Sequence, residues 1–258
     1  MLLAIDVGNT NTVFALFDGD QQIAAWRAMT LPQRTGDEYA ALLAAWRTGK
    51  GLASVAITDA VIGSVVPEAT FHLTRLCATL FEGEPLIVGA PGVILPLTIK
   101  VDNPDEVGAD RVVNALAALA DHRPPLLILD FGTATTLDVL DAAGAYCGGV
   151  IAPGIALSLE VLHRAAAKLP RVEIAKPARV IGTSTTSAMR SGVFWGYVGL
   201  IEGLIARVSA EMHATPLVIA TGGLAPLFAG DIPAIRHLDP DLTLRGLQKA
   251  HAHNRTRQ

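Results

Sequence analysis

The sequence predicts an α/β protein built from two similar lobes, and three observations lead to this fold class. Residues 2–20 and residues 126–144 align without gaps, and both begin Leu-Leu-x-x-Asp-x-Gly. Stretches with the hydrophobic periodicity of strands alternate along the chain with stretches that have the periodicity of helices. Hydrophobic residues make up 51% of the 258 residues and charged residues 17%, as expected for a globular chain that can bury a large core. A layered α/β architecture of two related halves follows.

Each copy of the internal repeat predicts a β-hairpin. An apolar run, residues 2–5 in the first copy and 126–129 in the second, ends in Asp-x-Gly, and small polar residues and a second apolar run follow. Apolar runs that are bounded by Gly, Asn and Asp are typical of strands joined by tight turns. The lobe boundary is expected near residues 123–125, which gives lobes of residues 1–123 and 124–258 with a ligand cleft between them.

Periodicity places the remaining elements. Helices are expected at residues 37–46, 68–81, 112–120, 155–166, 186–213 and 223–229, and strands at residues 55–66 and 216–220. Residues 191–201 are apolar and uncharged over only eleven residues, whereas a membrane span needs about 20, so a buried helix is expected there. Residues 249–258 are polar and aperiodic, and they are expected to form a solvated tail.

Charge and cysteine content exclude several classes of partner. The formal net charge is −4, and no cluster of lysines and arginines indicates a nucleic acid or an anionic membrane surface. Cys77 and Cys147 are too few and too isolated for a disulfide framework or a metal cluster, so both are expected to be small buried hydrophobes. Asp6 interrupts the N-terminal apolar run before a signal-peptide core could form. A cytoplasmic location is therefore expected.

The first hairpin turn, from Asp6 to Thr12, suits a polyphosphate group. Gly8 lets the backbone bend so that a phosphate can approach the amide groups closely, and Asn and Thr side chains supply further hydrogen-bond donors. The Asp6 carboxylate, at the end of the strand, could hold a Mg²⁺ ion that bridges phosphate oxygens. A plain hairpin turn uses the same residue types, so one copy leaves both interpretations open.

Two further turns favour the nucleotide interpretation. The second copy of the turn, from Asp130 to Thr136, repeats the first, and two such turns could bind the phosphates of one nucleotide from both lobes. Gly222 and Gly223 follow a predicted strand, and a bare backbone there could lie against an adenine ring, although a strand-to-helix turn would use the same glycines. The sequence therefore predicts a nucleotide cleft between the lobes.

These motifs together resemble those of the superfamily that contains actin, the heat-shock ATPases and the acetate and sugar kinases, whose lobes are ribonuclease-H-like. Within it, the sequence resembles the type III pantothenate kinase family. The segments that carry this resemblance are residues 6–11, 103–111, 130–136, 148–154, 182–185 and 220–223. They occur in the order of the family and extend over nearly the whole chain. The Gly-Ala-Asp-Arg element from Gly108 to Arg111 is the most discriminating, because the generic phosphate loops of the superfamily do not predict it.

Asp110 and Arg111 supply the groups that phosphoryl transfer to a hydroxy acid needs. An attacking hydroxyl requires a carboxylate within hydrogen-bond reach to accept its proton, and an arginine suits a substrate carboxylate. A helix N-terminus with an aspartate cap and a surface ion pair would use the same residues, because residues 112–120 are expected to be helical. The phosphate turns elsewhere in the chain favour the catalytic interpretation.

The resemblance implies that the chain uses ATP to phosphorylate pantothenate to 4′-phosphopantothenate, the first step of coenzyme A biosynthesis. The implied ATP-binding residues are Asp6, Val7, Gly8, Asn9, Thr10, Asn11, Thr12, Val13, Thr133, Gly222 and Gly223. The implied pantothenate-binding residues are Gly108, Ala109, Asp110, Arg111 and Thr185, with Asp110 as the catalytic base. Asp6 would hold Mg²⁺ with the phosphates, and Asp130 would bind a monovalent cation, K⁺ or NH₄⁺. A homodimer is implied as well, with residues 193–201 as a candidate contact, although a core helix would explain these residues equally.

Two residues depart from the pattern of the family. Val101 stands where members often have an aromatic residue, and Thr183 stands where they often have a lysine. These changes leave open a kinase of another small hydroxy acid, and the fold alone would also suit a nucleotide-binding regulatory protein. The complete set is present, which favours the enzyme because a purely regulatory descendant need not keep it: Asp6, Asp110, Arg111 and Asp130.

Overall fold

Two five-stranded sheets organise the chain in the computed structural model, which describes residues 1–165 and 170–255. Each sheet belongs to one of two units. The first unit comprises residues 1–97, residues 102–120 and the chain from residue 241 onward, and the second comprises residues 98–101 and 121–240. This division differs from the predicted lobes, 1–123 and 124–258, chiefly because the C-terminal segment packs within the first unit.

Ten strands and seven α-helices form among the described residues. The strands are β1 (Leu2–Val7), β2 (Asn11–Asp18), β3 (Gln21–Met29), β4 (Asp59–Ser64), β5 (Leu86–Ile87), β6 (Leu126–Phe131), β7 (Ala134–Leu140), β8 (Tyr146–Pro153), β9 (Leu217–Thr221) and β10 (Ile235–Leu238). The α-helices are α1 (Gly36–Gly49), α2 (Pro67–Leu80), α3 (Ala109–Asp121), α4 (Ile155–Ala165), α5 (Thr185–Glu211), α6 (Ala225–Phe228) and α7 (Leu242–Arg255). The predicted helices and strands are all present, with ends that differ by a few residues, and Ala166 lies outside the described residues.

The first sheet has the strand order β3-β2-β1-β4-β5. β1 pairs antiparallel with β2 and parallel with β4, so the predicted first hairpin is confirmed, and β3 extends it. Alternate residues of β1 point to opposite faces: Leu3 and Ile5 pack with α1 and α2, and Ala4 packs with α3 and α7. Asp6 follows Ala4 at this spacing and therefore lies at the end of β1 on the face that carries α3.

The C-terminal segment forms the helix α7, so the solvated tail predicted for residues 249–258 is wrong for the part that the structure describes. Leu247 and Ala250 of this helix are fully buried. Gly246 packs so closely on the backbone carbonyl of Val113 in α3 that a side chain would not fit there. The prediction failed because contacts with distant parts of the chain bury one face of a helix whose last turns are mostly polar in sequence.

The second sheet repeats the arrangement of the first. Its strand order is β10-β9-β6-β7-β8, with β6 antiparallel to β7 and parallel to β9. β6, β7 and β9 thus correspond to β1, β2 and β4, which confirms two similar α/β lobes. α5 covers the face of this sheet that carries Leu127 and Leu129. Its buried residues Phe194, Val198 and Ile201 recur at helical spacing.

The two cysteines differ in burial. Cys77 is fully buried in α2, as predicted, and burial raises the pKa of its thiol to about 12. Cys147 is exposed, so its predicted burial is wrong. It follows the buried Tyr146 in β8, and successive residues of a strand point to opposite faces.

Candidate active site

The first predicted phosphate loop connects β1 to β2. Asn9 and Thr10 form its exposed tip, and the backbone N–H of Gly8 donates a hydrogen bond of 3.0 Å to the carbonyl of Asn11. Of the predicted ATP-binding residues here, Val7 and Thr12 are buried, Asp6, Gly8 and Val13 are half-buried, and Asn9, Thr10 and Asn11 are exposed. The loop thus offers exposed backbone and polar side chains at one end of the first sheet, as phosphate binding requires.

The second loop connects β6 to β7 and has a similar form. The backbone N–H of Gly132 donates a hydrogen bond of 3.1 Å to the carbonyl of Ala134, and Thr133 is exposed at the tip. The N–H of Gly154, just before α4, donates a hydrogen bond of 3.1 Å to the carbonyl of Thr133. A side chain on Gly154 would collide with the carbonyls of Gly132 and Thr133. This loop therefore depends on a glycine at position 154 for its place in the fold.

Helix α5 also contacts the second loop, through a residue that sequence analysis did not single out. The hydroxyls of Thr135 and Tyr197 are hydrogen-bonded, and both residues are buried. Burial raises the pKa of Tyr197 above its ordinary value, the hydrogen bond with Thr135 opposes this rise, and the negative charge of Asp130 adds to it. Tyr197 is therefore a neutral anchor for the loop at physiological pH.

A buried carboxylate that sequence analysis missed holds the same hairpin. Asp138 in β7 is fully buried and accepts hydrogen bonds from the hydroxyl of Tyr146 over 2.7 Å and from the hydroxyl of Thr136 over 3.1 Å. Thr136 lies opposite Asp130 in the register of β6 and β7. The sequence did contain a signal for this contact, because Thr136 and Asp138 are polar residues two positions apart in a predicted strand. Such residues share a face of the strand, and buried polar groups need hydrogen-bond partners.

The turn after β9 meets the end of β6 within the second unit. Gly222 has a φ of 92°, a backbone conformation that favours glycine. A Cβ atom here would lie 2.5 Å from Oδ1 of Asp130 and 2.7 Å from the backbone nitrogen of Phe131. Gly223, the next residue, is exposed. The structure therefore brings together Gly222 and Asp130, for which the sequence predicted separate roles.

The Gly-Ala-Asp-Arg element forms the start of α3. Asp110 is half-buried in the first turn, and its Oδ1 atom accepts a hydrogen bond of 2.9 Å from the backbone N–H of Arg111. A Cβ atom on Gly108 would lie 2.5 Å from this Oδ1 atom, so the glycine leaves the space that the carboxylate occupies. Ala109 and Arg111 are also half-buried. One interpretation of these residues was the N-terminus of a helix, and the structure confirms it. A helix N-terminus is compatible with a catalytic carboxylate at Asp110.

Thr185 is the first residue of α5, and it is exposed. Ser184 caps the helix, because its hydroxyl accepts a hydrogen bond of 3.2 Å from the backbone N–H of Ser187. Gly182 packs against the backbone of Ala188 without room for a side chain. The segment before α5 is thus held tightly to the first turn of the helix, which gives Thr185 a defined position.

The carboxylates of Asp6 and Asp130 are the proposed cation ligands. Each is half-buried and lies at or near the carboxyl end of the first strand of its hairpin. No three His, Cys, Asp or Glu residues gather into a metal cage within the described ranges. Single carboxylates fit Mg²⁺, which usually combines one or two protein carboxylates with water and substrate phosphates. The donor set therefore fits a metal that arrives with a nucleotide.

Solved structures share the fold of the chain. One assigned as a 2-dehydro-3-deoxygalactonokinase from Sinorhizobium meliloti matches with a TM-score of 0.59 and 13% identity over 98% of this chain and 96% of that chain. Ethanolamine utilization protein EutJ from Carboxydothermus hydrogenoformans matches with a TM-score of 0.56 and 15% identity over 95% of this chain and 88% of that chain. Both similarities concern the fold alone, and they agree with the predicted α/β fold of two similar lobes.

Curated relatives are similar over almost the full length of the chain. The type III pantothenate kinase of Paramagnetospirillum magneticum is 57% identical over 99% of this chain and 98% of that protein. The type III pantothenate kinase of Rhodospirillum rubrum is 56% identical over 98% of this chain and 99% of that protein. The family model described as type III pantothenate kinase matches residues 2–207. The chain therefore belongs to the type III pantothenate kinase family.

Proposed function

We propose that the chain is a kinase that transfers the γ-phosphoryl group of ATP to pantothenate and forms 4′-phosphopantothenate, in the first step of coenzyme A biosynthesis. Membership of the family supports an enzyme of this type. The observation that carries the proposal is the pair of Asp110 and Arg111 at the start of α3, with a glycine at position 108 that leaves room for the carboxylate. A purely regulatory protein would not need this pair.

Asp110 is the proposed catalytic base. Its carboxylate accepts the proton of the pantothenate hydroxyl as the hydroxyl oxygen bonds to the γ-phosphorus atom, and the bond from that phosphorus to the bridging oxygen of ADP breaks. Arg111 binds the carboxylate of pantothenate, a pairing that can form two parallel hydrogen bonds. Gly108, Ala109 and Thr185 complete the proposed pantothenate-binding residues.

ATP binding is assigned to the two phosphate loops and the glycine turn. The proposed residues are Asp6, Val7, Gly8, Asn9, Thr10, Asn11, Thr12, Val13, Thr133, Gly222 and Gly223. Backbone N–H groups and the exposed hydroxyls of the loops bind phosphate oxygens, and the buried Thr12 supports the loop. Mg²⁺, when bound, offsets the charge of the phosphates, and Asp6 is its proposed protein ligand. Asp130 is the proposed ligand of a monovalent cation, K⁺ or NH₄⁺.

Purified protein is expected to convert pantothenate to phosphopantothenate in the presence of ATP and Mg²⁺, faster with K⁺ or NH₄⁺ than with Na⁺. Mass spectrometry of the product and release of ADP provide the measurement. Asp130→Asn is expected to remove the difference between the cations, because the amide carries no charge to hold them. Absence of phosphopantothenate with every cation and nucleotide donor would contradict the proposal, as would a hydroxy acid that is phosphorylated in preference to pantothenate.

The proposal includes a cytoplasmic location and excludes nucleic acid and membranes as partners. A net charge of −4 supports the exclusion of both partners, since nucleic acids and anionic membranes attract basic surfaces. Helix α5 is long and apolar enough to cross a membrane by length and composition alone. Its residues Phe194, Val198 and Ile201, however, pack in the core of the second unit, as in a globular protein.

We propose further that the chain forms a homodimer through the other face of α5. Only 28% of the most apolar 18-residue window of this helix is buried. Gly192, Gly196 and Gly199 recur at helical spacing, and apart from the backbone of their own helix no described atom lies within 4 Å of where their side chains would begin. Each glycine in a helix costs about 1 kcal/mol relative to alanine, so the sequence gives up helix stability to keep this face flat. A flat face allows the backbone of a second copy to approach closely.

Gly196→Arg is expected to convert the dimer to a monomer, because a long charged side chain would stand on the flat face of α5. Sedimentation equilibrium of the wild-type protein and the variant provides the measurement. Gly49→Arg is the matched control and should stay dimeric. Gly49 is also exposed in a helix, and apart from the backbone of that helix no described atom lies within 4 Å of where its side chain would begin. A wild-type protein that is monomeric at micromolar concentrations, or a variant that remains dimeric, would reject this interface.

A further inference from the structure

Thr30 is bonded to the first phosphate loop from outside it. It directly follows β3, and only 7% of its surface is exposed. Its backbone N–H donates a hydrogen bond of 2.9 Å to the carbonyl of Thr10. Its hydroxyl donates a hydrogen bond of 2.7 Å to the carbonyl of Gly8 and lies 2.9 Å from the hydroxyl of Thr12. One residue therefore contacts three residues of the loop.

The direction of these hydrogen bonds follows from the number of protons. A carbonyl can only accept, so the single hydroxyl proton of Thr30 is used in its bond to Gly8. The hydroxyl of Thr12 must then donate to the oxygen of Thr30. Thr12 is fully buried, so its side chain supports the loop and does not donate to a phosphate. The result is a chain of bonds from Thr12 through Thr30 to the Gly8 carbonyl.

This chain of bonds sets the orientation of a peptide group at the tip of the loop. The only cis peptide bond within the described residues joins Pro124 to Pro125, so the peptide bond between Gly8 and Asn9 is trans. In a planar trans peptide, the carbonyl and the following N–H point in opposite directions. Because Thr30 holds the carbonyl of Gly8, the N–H of the exposed Asn9 points away from Thr30. An N–H group directed in this way can act as a donor to an anion at the loop.

We propose that Thr30 is a positioning residue for ATP, which holds the Gly8 carbonyl so that the N–H of Asn9 is aimed at the phosphates. This inference rests on the proposed function in that it takes the first loop as the ATP loop. Thr30 contacts no phosphate itself. Without its hydroxyl, the peptide group between Gly8 and Asn9 can rotate, and each ATP molecule that binds must restore its orientation at a cost in affinity.

Thr30→Val is the central variant, because valine has nearly the shape of threonine and lacks the hydroxyl. The expected result is a rise of about tenfold in the KM for ATP and in the dissociation constant of a non-hydrolysable ATP analogue, the size of one well-placed hydrogen bond. The KM for pantothenate should not change. Thr30→Ser keeps the hydroxyl and should restore ATP affinity. Calorimetric titration measures the dissociation constant without relying on turnover.

A matched control separates positioning from general stability. Thr74→Val removes a hydroxyl from a half-buried threonine in α2, where that hydroxyl donates a hydrogen bond to the carbonyl of Thr70 one turn earlier. This variant should bind the ATP analogue as the wild-type protein does, even if both valine variants unfold at similar temperatures. If Thr30→Val does not fold, Thr30→Ala removes the same hydroxyl with a smaller side chain and is compared with Thr30→Ser.

The outcomes distinguish this inference from the proposed function. If the wild-type protein phosphorylates pantothenate and Thr30→Val binds the ATP analogue normally, the inference is overturned and the proposed function stands. If Thr30→Val binds the ATP analogue more weakly and Thr30→Ser binds it as the wild-type protein does, the inference holds, whether or not pantothenate is the acceptor. Equal rises in the KM for ATP and for pantothenate would also overturn the inference, since they would indicate a general loss of structure.

Discussion

Replacement of Asp110 by asparagine is expected to lower kcat by about 10³-fold, the usual contribution of a general base, while pantothenate still binds. Asparagine has the shape of aspartate, and its Oδ1 atom can still accept the hydrogen bond of 2.9 Å from the backbone N–H of Arg111. The first turn of α3 should therefore be preserved. What is lost is the ability to take the proton of the attacking hydroxyl. Steady-state kinetics give kcat, and calorimetric titration gives the affinity for pantothenate.

Asp37→Asn is the matched control for this experiment. Asp37 is also an acidic residue in the first turn of a helix, α1, and it is exposed. The same loss of one charge should leave kcat within about twofold, because substitutions on an exposed surface usually cost no more than about 0.5 kcal/mol. An unchanged kcat for Asp110→Asn would remove Asp110 as the base. Loss of pantothenate binding together with turnover would make it a binding residue instead.

The parts of the site that could be predicted from the sequence are those that neighbouring residues specify. The turn from Asp6 to Thr12 and its copy at Asp130 are hairpins, and a hairpin depends on apolar runs and turn residues that lie within twenty positions of each other. The start of α3 directly after Gly108 is local in the same sense. The repeat added a second, independent indication, because chance seldom produces two turns of the same form in one chain.

The residues that hold the binding loops in place could not be predicted, because they come from distant parts of the chain. Thr30 is a lone threonine after a strand in the sequence, and only the pairing of β2 with β3 brings it to the loop. Tyr197 is one aromatic residue in an apolar helix until α5 packs on the second sheet. Helix α7 likewise gains its buried face from contacts with other elements of the first unit, among them α3 and the first sheet. Sequence patterns indicate which residues can bind a ligand, and tertiary packing decides which residues hold them in place.

Gly222→Ala is expected to lower the stability of the protein more than the other substitutions do. Two costs add at this position. A φ of 92° strains any residue with a side chain, and the new Cβ atom would lie 2.5 Å from Oδ1 of Asp130 and 2.7 Å from the backbone nitrogen of Phe131. Together they should lower the free energy of unfolding by about 4 kcal/mol. Urea denaturation of the variant and the wild-type protein provides the measurement.

The same collision should also reduce activity in the protein that remains folded. To admit the Cβ atom, either the carboxylate of Asp130 moves or the turn after β9 moves away from β6, and both belong to the proposed cation and ATP site. A displacement of about 1 Å can cost about 100-fold in rate, so kcat/KM for ATP should fall by that order at temperatures where the variant is folded.

Gly89→Ala separates the two costs, because Gly89 has almost the same φ, 87°, but no described atom beyond its two chain neighbours lies within 4 Å of the position of a Cβ atom. The free energy of unfolding of this variant should fall only by the cost of backbone strain, about 1–2 kcal/mol, and the variant should keep full activity. The difference between the two variants then measures the close packing of Gly222 on Asp130. If both variants lost the same stability and Gly222→Ala remained fully active, the contact between this turn and the end of β6 would have no role in the site.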